Sequence, residues 1–453
     1  MCKTTPLLPG LSPVSGKTVE AAFDGGSLTS DAGVLVLREV ERRLNVGGRL
    51  AACIADDRQP GRVRHSLADV IRFRMLMIAC GYEDAIDADS LRSDPGFKMA
   101  LGRLPSAADL CSQSTISRLE NRPEVRTLLR MAGAMVDLYC ASFAQVPRRI
   151  VLDLDDTFDA AHGGQQLRLF NAHFDNHGFQ PILVFDGEGR IVAAVLRPAR
   201  RPSGREIAGH LRRLIRRLRA NWPRVEILIR ADSHYAAPEV IDLCRSAGVD
   251  FILGLSTNPA LRARVASLEA STVARQSGSG KPGSGKPGSG KIRRFAEFFD
   301  AARSWRRVER IVARVEAGPQ GVDTRFIVTS LETGRGKRLY EHLYCRRGEA
   351  ENHIKAFKRH LAADRTSCHR AAANQMRLML HAGAYWLMWT LRAAAPRRSA
   401  WRTVQFDTLR LRLLKIAARI VEMKTKIKLH LPTACPVQPA LALILTRTTR
   451  LVI

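Results

Sequence analysis

Apolar positions recur along this chain in two rhythms, and the change between them marks its organisation. Over residues 66–80, and again over 124–143, they return every three or four positions, the spacing of one helix face. An earlier apolar run, Ala32 to Val40, follows Ser30 and Asp31, side chains suited to capping a helix. Residues 1–145 therefore read as an all-helical domain. At Pro147 the period becomes two. Ile150, Leu152 and Leu154 alternate with Val151, Asp153 and Asp155, which predicts a strand. Residues 181–186 and 190–196 alternate likewise on either side of Gly187-Glu188-Gly189, the mark of a hairpin. A helix is predicted over 204–220, a strand over 225–232, a helix over 238–247 and a strand over 250–255. The order β-β-β-α-β-α-β makes 146–257 an α/β core, and the whole chain a multi-domain α/β protein.

Beyond that core, 258–338 reads as a β-rich insertion, because residues 305–315 and 324–331 alternate like strands. Within it, residues 277–291 repeat Gly-Ser-Gly-Lys-Pro, too small and polar to bury a core, and are expected to be a flexible cationic segment. Residues 344–358 predict a helix on which Arg347, Glu351, Lys355 and Lys358 share a face, one carboxylate in a row of cations. Core-like sequence is expected to resume over 339–370. A C-terminal region, 371–453, is expected to be helical and basic, with helices near 371–393 and 402–424.

Charge narrows the class. Lys and Arg number 72 against 43 Asp and Glu in 453 residues, a formal net charge of +29. An excess of this size over a folded chain points to a polyanionic partner, most often nucleic acid, with a membrane surface as the rival. From Arg397 to Lys428 there are ten Lys or Arg and two acids, a candidate phosphate-backbone surface. No run of 18 apolar residues and no signal-like start is present, so no membrane association and a cytoplasmic location are expected. The nine cysteines are scattered without a Cys-x-x-Cys pair, which supports neither a zinc site nor a disulfide framework. Residues 107–121 resemble the turn and second helix of a helix-turn-helix. There Ser112 would cap the helix, Ile116 would pack inward, Gln113, Ser114 and Ser117 would face a DNA groove, and Arg118 would lie near phosphate.

Three carboxylates stand out by position. Asp155 and Asp232 end strands, where side chains project from a sheet rim, and Glu351 lies on the cation-lined helix. Hard divalent ions take clustered oxygen ligands together with substrate phosphate. Asp153, Asp155 and Asp156 compete for the first ligand position, and because Asp153 shares a strand face with Asp155, alternation alone does not exclude it.

The spacing Tyr344-x₂-Arg347-x₃-Glu351-x₆-Lys358 resembles the signature of bacterial insertion-sequence DDE transposases with an RNase H-like core. Asp155-Asp156-Thr157 is similar to that group's first Asp-x-Thr and selects Asp155, while Ile229-Arg230-Ala231-Asp232 is similar to its second aspartate. Further stretches, among them Arg64-His65-Ser66-Leu67-Ala68-Asp69 and Ala363-Asp364-Arg365-Thr366-Ser367-Cys368, extend the likeness over most of the chain. The resemblance implies an RNase H-like mixed sheet flanked by helices. It implies two Mg²⁺ ions, replaceable by Mn²⁺, on Asp155, Asp232 and Glu351, and phosphate contacts from Tyr344, Arg347 and Lys358. Lys355 joins these by its place on the same face. Trp305 would stack on a flipped base, and His162, Gln165 and His234 would stand near the site. The activity implied is cut-and-paste transposition by a homodimer holding terminal inverted repeats and target DNA. A structure-specific nuclease without strand transfer and a non-catalytic DNA-binding regulator are the alternatives.

Overall fold

The computed structural model describes residue 8, residues 10–278 and residues 290–450, which form two compact units, one running to Arg122 and resuming at Gly383, the other Pro123–Ala382. The repetitive 277–291 stretch lies mostly outside the described residues. No helix among the described residues is long and apolar enough to cross a membrane.

The Pro123–Ala382 unit is built on an eight-stranded mixed sheet. Its strands are β1 (Arg149–Asp156), β2 (Ile182–Asp186), β3 (Ile191–Val195), β4 (Glu226–Ala231), β5 (Asp250–Leu255), β6 (Ile292–Asp300), β7 (Glu309–Gly318) and β8 (Gly321–Thr329). Their spatial order is β6-β7-β8-β5-β4-β1-β2-β3. The central strands β1, β4 and β5 run parallel, and every other neighbour is antiparallel. The five strands read from sequence as the core are thus contiguous. The three strands of the expected insertion are not separate from them: Phe326–Thr329 of β8 pair with Ile252–Leu255 of β5 and extend the same sheet. That region also begins with the helix Pro259–Gly278, which the sequence reading did not anticipate.

Alternation sorts the sheet into two faces. Leu228, Ile252, Val312 and Ile327 are buried against Leu339 and Tyr340, with Val151 packed alongside, so a helical path from Gly336 to His360 covers one face. Ile150, Leu152, Ile227 and Ile229 are the buried residues of opposite parity. Helices Val125–Ala141, Gly204–Asn221 and Pro238–Ser246 pack against one another in the same unit, the first and third also meeting β3 and β5. The covering path is not one regular helix. It changes from a π-turn (Leu339–Tyr344) to 3₁₀ (Cys345–Gly348), α (Glu349–Lys355) and π again (Ala356–His360). Glu351 and Lys355 keep their common face within Glu349–Lys355 and Arg347 stays 4.0 Å from Glu351, while the π-turn alters the spacing at Lys358.

The other unit is largely helical around Leu67–Cys80, whose side chains from Phe73 to Cys80 are all buried. Ser66 caps this helix, accepting from the Asp69 N–H. Asp31, expected as a cap, is instead fully buried and meets Lys415 Nζ at 2.7 Å, while the Tyr82 hydroxyl donates to it at 2.8 Å. The helix it was to cap begins at Val34 without a side-chain cap. Gly33 is required there: a Cβ would lie 1.9 Å from the Leu413 carbonyl oxygen. The helix expected over 402–424 is broken into short turns ending at Leu414 and a hairpin, Ala418–Glu422 with Ile427–His430. The cause is this docking of 413–416 on the chain start, where Ala32 and Gly33 donate to the Ile416 and Leu414 carbonyls.

Helix Gln113–Asn121 forms with Ile116 fully buried, as its pattern predicts. The tight turn of a helix-turn-helix does not form: the preceding helix ends at Ala100, and 103–112 hold no helix. Ser112 does not cap it either. Its hydroxyl meets those of Ser114 (3.0 Å) and Thr115 (3.4 Å), while Asp89 accepts the Gln113 N–H at 3.1 Å. Ser114 and Arg118 are exposed, with Gln113 and Ser117 half-buried.

Candidate active site

The parallel pairing of β1 with β4 brings two strand ends together at one rim of the sheet, Asp155 on the first and Asp232 just beyond the second. Three aspartates on β1 have three different fates. Asp153 is buried, and Arg230, directly opposite on β4, grips both its oxygens at 2.6 and 2.7 Å. The same guanidinium donates to the Leu343 carbonyl at 2.7 Å, fastening the covering helical path to the sheet. Asp156 points to the other face, where it accepts from Tyr235 Oη (3.1 Å), from the Gln180 amide and from His234 Nε2 (2.6 Å). Asp155 remains for chemistry at the rim. Its Oδ1 accepts the Asp156 N–H at 3.0 Å, and Arg347 Nη1 reaches its Oδ2 at 2.9 Å. Burial raises its carboxyl to about 6; Arg347 opposes this, and the negative charge of Asp232 adds to it.

Asp232 opens a turn and accepts the His234 N–H at 3.1 Å. The His234 ring bridges the two carboxylates, with Nδ1 2.8 Å from Asp232 and Nε2 on Asp156. Burial works against its charge, but the two aspartates prevail and lift it to about 9. Desolvation likewise opposes ionised Asp156, yet His234 and its other donors hold that carboxyl below its ordinary range.

The covering path supplies the remaining expected residues. A Cβ on Gly254 would stand 2.6 Å from the Tyr344 hydroxyl and 2.8 Å from the Ser233 nitrogen, so Tyr344 is seated against β5 beside the Asp232 turn. Glu351 is 70% exposed and lies 4.0 Å from Arg347 Nη2. Lys355 is exposed, with no ion pair among the described residues. Lys358 is tied down: it donates to the Phe158 carbonyl and lies 3.3 Å from Asp159 Oδ1. Asp159 is buried, which pushes its carboxyl up to about 7 despite that lysine. Gln165 is buried and donates to the His162 and Thr366 carbonyls, closing the loop beyond β1.

The structure thus gathers Asp155, Asp232, Arg347 and Tyr344 at one rim, with Glu351 within reach of Arg347. It does not converge the three carboxylates: among the described residues no group of three or more His, Cys, Asp or Glu could hold a metal. Trp305 falls between β6 and β7. The β7–β8–β5 register places that loop at the rim opposite Asp155 and Asp232. Gln113, Ser114, Ser117 and Arg118 belong to the other unit.

A family model described as Transposase DDE domain group 1 matches residues 11–453. The chain belongs to this DDE transposase family. Membership makes it an enzyme of DNA transposition. Its fold is also similar to a cryo-EM structure of a piggyBac transposase synaptic complex with hairpin DNA, at 10% identity and a TM-score of 0.38, over 91% of this chain and 89% of that one. No curated protein matches the sequence. Around the DDE transposase rim, sequence reasoning kept Asp156 only as a rival for the first ligand and assigned no role to Gln180, Arg230 or Tyr235. Arg230 and Tyr235 sit two and three residues from Asp232, and the unusual Asp153-Leu154-Asp155-Asp156 run was the signal that some of those carboxylates need partners.

Proposed function

We propose that this DDE transposase cuts and pastes a bacterial insertion sequence, with Asp155, Asp232 and Glu351 as its catalytic carboxylates. The observation that carries this reading is the meeting of Asp155 and Asp232 at neighbouring parallel strand ends, with Arg347, one helical turn from Glu351, already in contact with Asp155. Support for an RNase H-like core comes from the strand order β3-β2-β1-β4-β5 and its directions.

The residues present suit divalent cations in part. Asp155 is raised by burial and by Asp232, so added positive charge between the two is favoured. Glu351 is exposed on a helical path of changing pitch and would complete the set from there. Two Mg²⁺ (or Mn²⁺) would supply a more acidic water or hydroxyl and charge neutralisation at the leaving oxygen. Arg347 offers a planar donor fork to a phosphate and Lys358 a point charge, with Lys355 beside them. In the first reaction, water forms a bond to phosphorus at the transposon end and the 3′-oxygen leaves as a hydroxyl. In the second, that hydroxyl bonds to a target phosphorus and displaces the target's own 3′-oxygen.

Double-stranded DNA, both terminal repeats and target, is the partner, and holding two ends calls for a homodimer. The exposed Arg419, Lys424, Lys426 and Lys428 of the C-terminal hairpin would contribute backbone contacts. A cytoplasmic, nucleoid-associated location follows from this partner. The decisive experiment incubates protein and Mg²⁺ with end DNA and plasmid. Excised and joined products are expected; with Glu351→Gln, cleavage should vanish while end binding stays within a few-fold. A variant that still cuts would remove Glu351 from the chemistry, and cleavage without joined products would favour a nuclease.

A further inference from the structure

The helix Gly204–Asn221 carries an arginine stripe that the active site does not use. Its apolar face is spent inward: Ile207, Ala208, Leu211, Leu214, Ile215 and Leu218 are buried. Arg205, Arg212, Arg213 and Arg216 are exposed, and at 100° per residue they fall on the opposite side of the helix. From Arg205 to Arg216 the stripe runs roughly 16 Å. One acid, Glu206, lies within the helix, and Arg197 holds it at 2.9 Å. Arg205 has only a distant contact, 4.0 Å to Glu239, and Arg213 donates to the Gly209 carbonyl. Arg212 and Arg216 make no ion pair among the described residues. A solvated helix face normally interleaves both signs of charge; this one does not.

Its place in the fold gives the stripe a direction. β3 runs parallel to β1 through the shared partner β2, so its end at Val195 lies at the rim of Asp155 and Asp232. The helix starts from that rim, close to the helix that follows Asp232: a Cβ on Gly204 would lie 2.2 Å from Glu239 Oε2. It then runs back towards the start of β4 at the far rim. Arg347 and Asp155 belong to the face covered by Leu339 and Tyr340, whereas the arginine helix packs on Val125–Ala141, whose Tyr139 lies by Asp186, the partner of Leu152 on the opposite face, so the stripe is separate from that phosphate grip.

We infer that this stripe is a second duplex-binding surface, which holds the phosphate backbone of DNA leading away from the cleavage rim. Guanidinium groups pair with phosphate oxygens through their planar forks, and Arg212 and Arg216, one helical turn or about 5–6 Å apart, fit neighbouring phosphates along one strand, with Arg205 two turns before them. No sequence preference is expected, because contacts to phosphate oxygens are the same for every base pair.

The test measures binding of a random-sequence 30-base-pair duplex by fluorescence anisotropy, without metal, over a series of salt concentrations. The full-length chain is compared with Arg212→Gln/Arg216→Gln and with Arg212→Lys/Arg216→Lys. The glutamine pair should bind roughly tenfold or more weakly at 0.1 M salt, and its plot of log affinity against log salt should be shallower by about two. The lysine pair should keep the parent slope, which separates charge from packing. Equal affinity and equal slope for the folded glutamine pair would overturn the proposal, as would a slope lost equally in the lysine pair. The inference rests on DNA as the substrate and not on the assignment of the three carboxylates. Because cleavage plays no part in the measurement, failure here would leave the catalytic reading standing.

Discussion

Asp155 shows how a single residue sets stability against function. Its carboxyl ordinarily titrates at 3.8 and is lifted to about 6 in the fold. Between those values the folded chain holds more protons than the unfolded chain, so this residue's contribution to stability falls as pH rises from about 4 to about 6. Above about 6 the penalty is complete. Asp155→Asn removes it, and should stabilise the metal-free protein at pH 7.5 by about 1–3 kcal/mol, with the gain shrinking towards pH 4. Thermal melts at the two pH values measure this. The same substitution should abolish cleavage, and Mg²⁺ should raise the melting temperature of the parent chain but not of the variant. An Asp155→Asn protein that melts lower at pH 7.5 would mean that its bond to Arg347 outweighs its burial.

At the scale of elements, legibility followed locality. The strands β1 to β5 were readable because alternation is written within each stretch, and helix Leu67–Cys80 because its cap Ser66 is its own neighbour. The hairpin Ala418–Glu422 with Ile427–His430 was not, because the approach of Leu413 to Gly33 that shapes its entry joins distant parts of the chain. The π- and 3₁₀-turns around Glu351 were equally hidden, since the residue spacing permits a regular helix and the packing of Tyr344 on Gly254 selects otherwise. That close approach makes a prediction for the element. Gly254→Ala pushes a methyl into both the Tyr344 hydroxyl and the backbone of Ser233, and backbone cannot give as a side-chain tip can. A loss of about 1–3 kcal/mol in thermal stability is expected, with Mg²⁺-dependent nicking reduced at least about tenfold because Asp232 is displaced. Nicking at the parent rate would show that the rim tolerates the shift. In the other unit, Arg118→Ala on helix Gln113–Asn121 should weaken terminal-repeat binding more than nicking of short non-specific duplexes. Equal losses would remove that helix from end recognition, whose turn geometry differs from the one its sequence suggested.

For the whole molecule, the division into two units was the least legible feature. It depends on the described residues from Gly383 onwards rejoining those up to Arg122, as Asp31 with Lys415 illustrates, and no local pattern encodes such a return. Net charge, by contrast, needs no fold to be read, and it carries the prediction for the entire chain. An excess of +29 distributed over exposed arginines and lysines in both units should release many counterions on binding duplex. If six or more phosphates are neutralised, affinity should fall by about a thousandfold or more between 50 and 200 mM salt. The Glu351→Gln variant is the appropriate protein for this measurement, since binding can then be followed with or without Mg²⁺ while the DNA stays intact. A fall of only about tenfold would correspond to about two phosphates. Contact would then be confined to the rim, where Arg347 and Lys358 would account for it, and the basic hairpin and the arginine helix would be solvated faces instead of DNA surfaces.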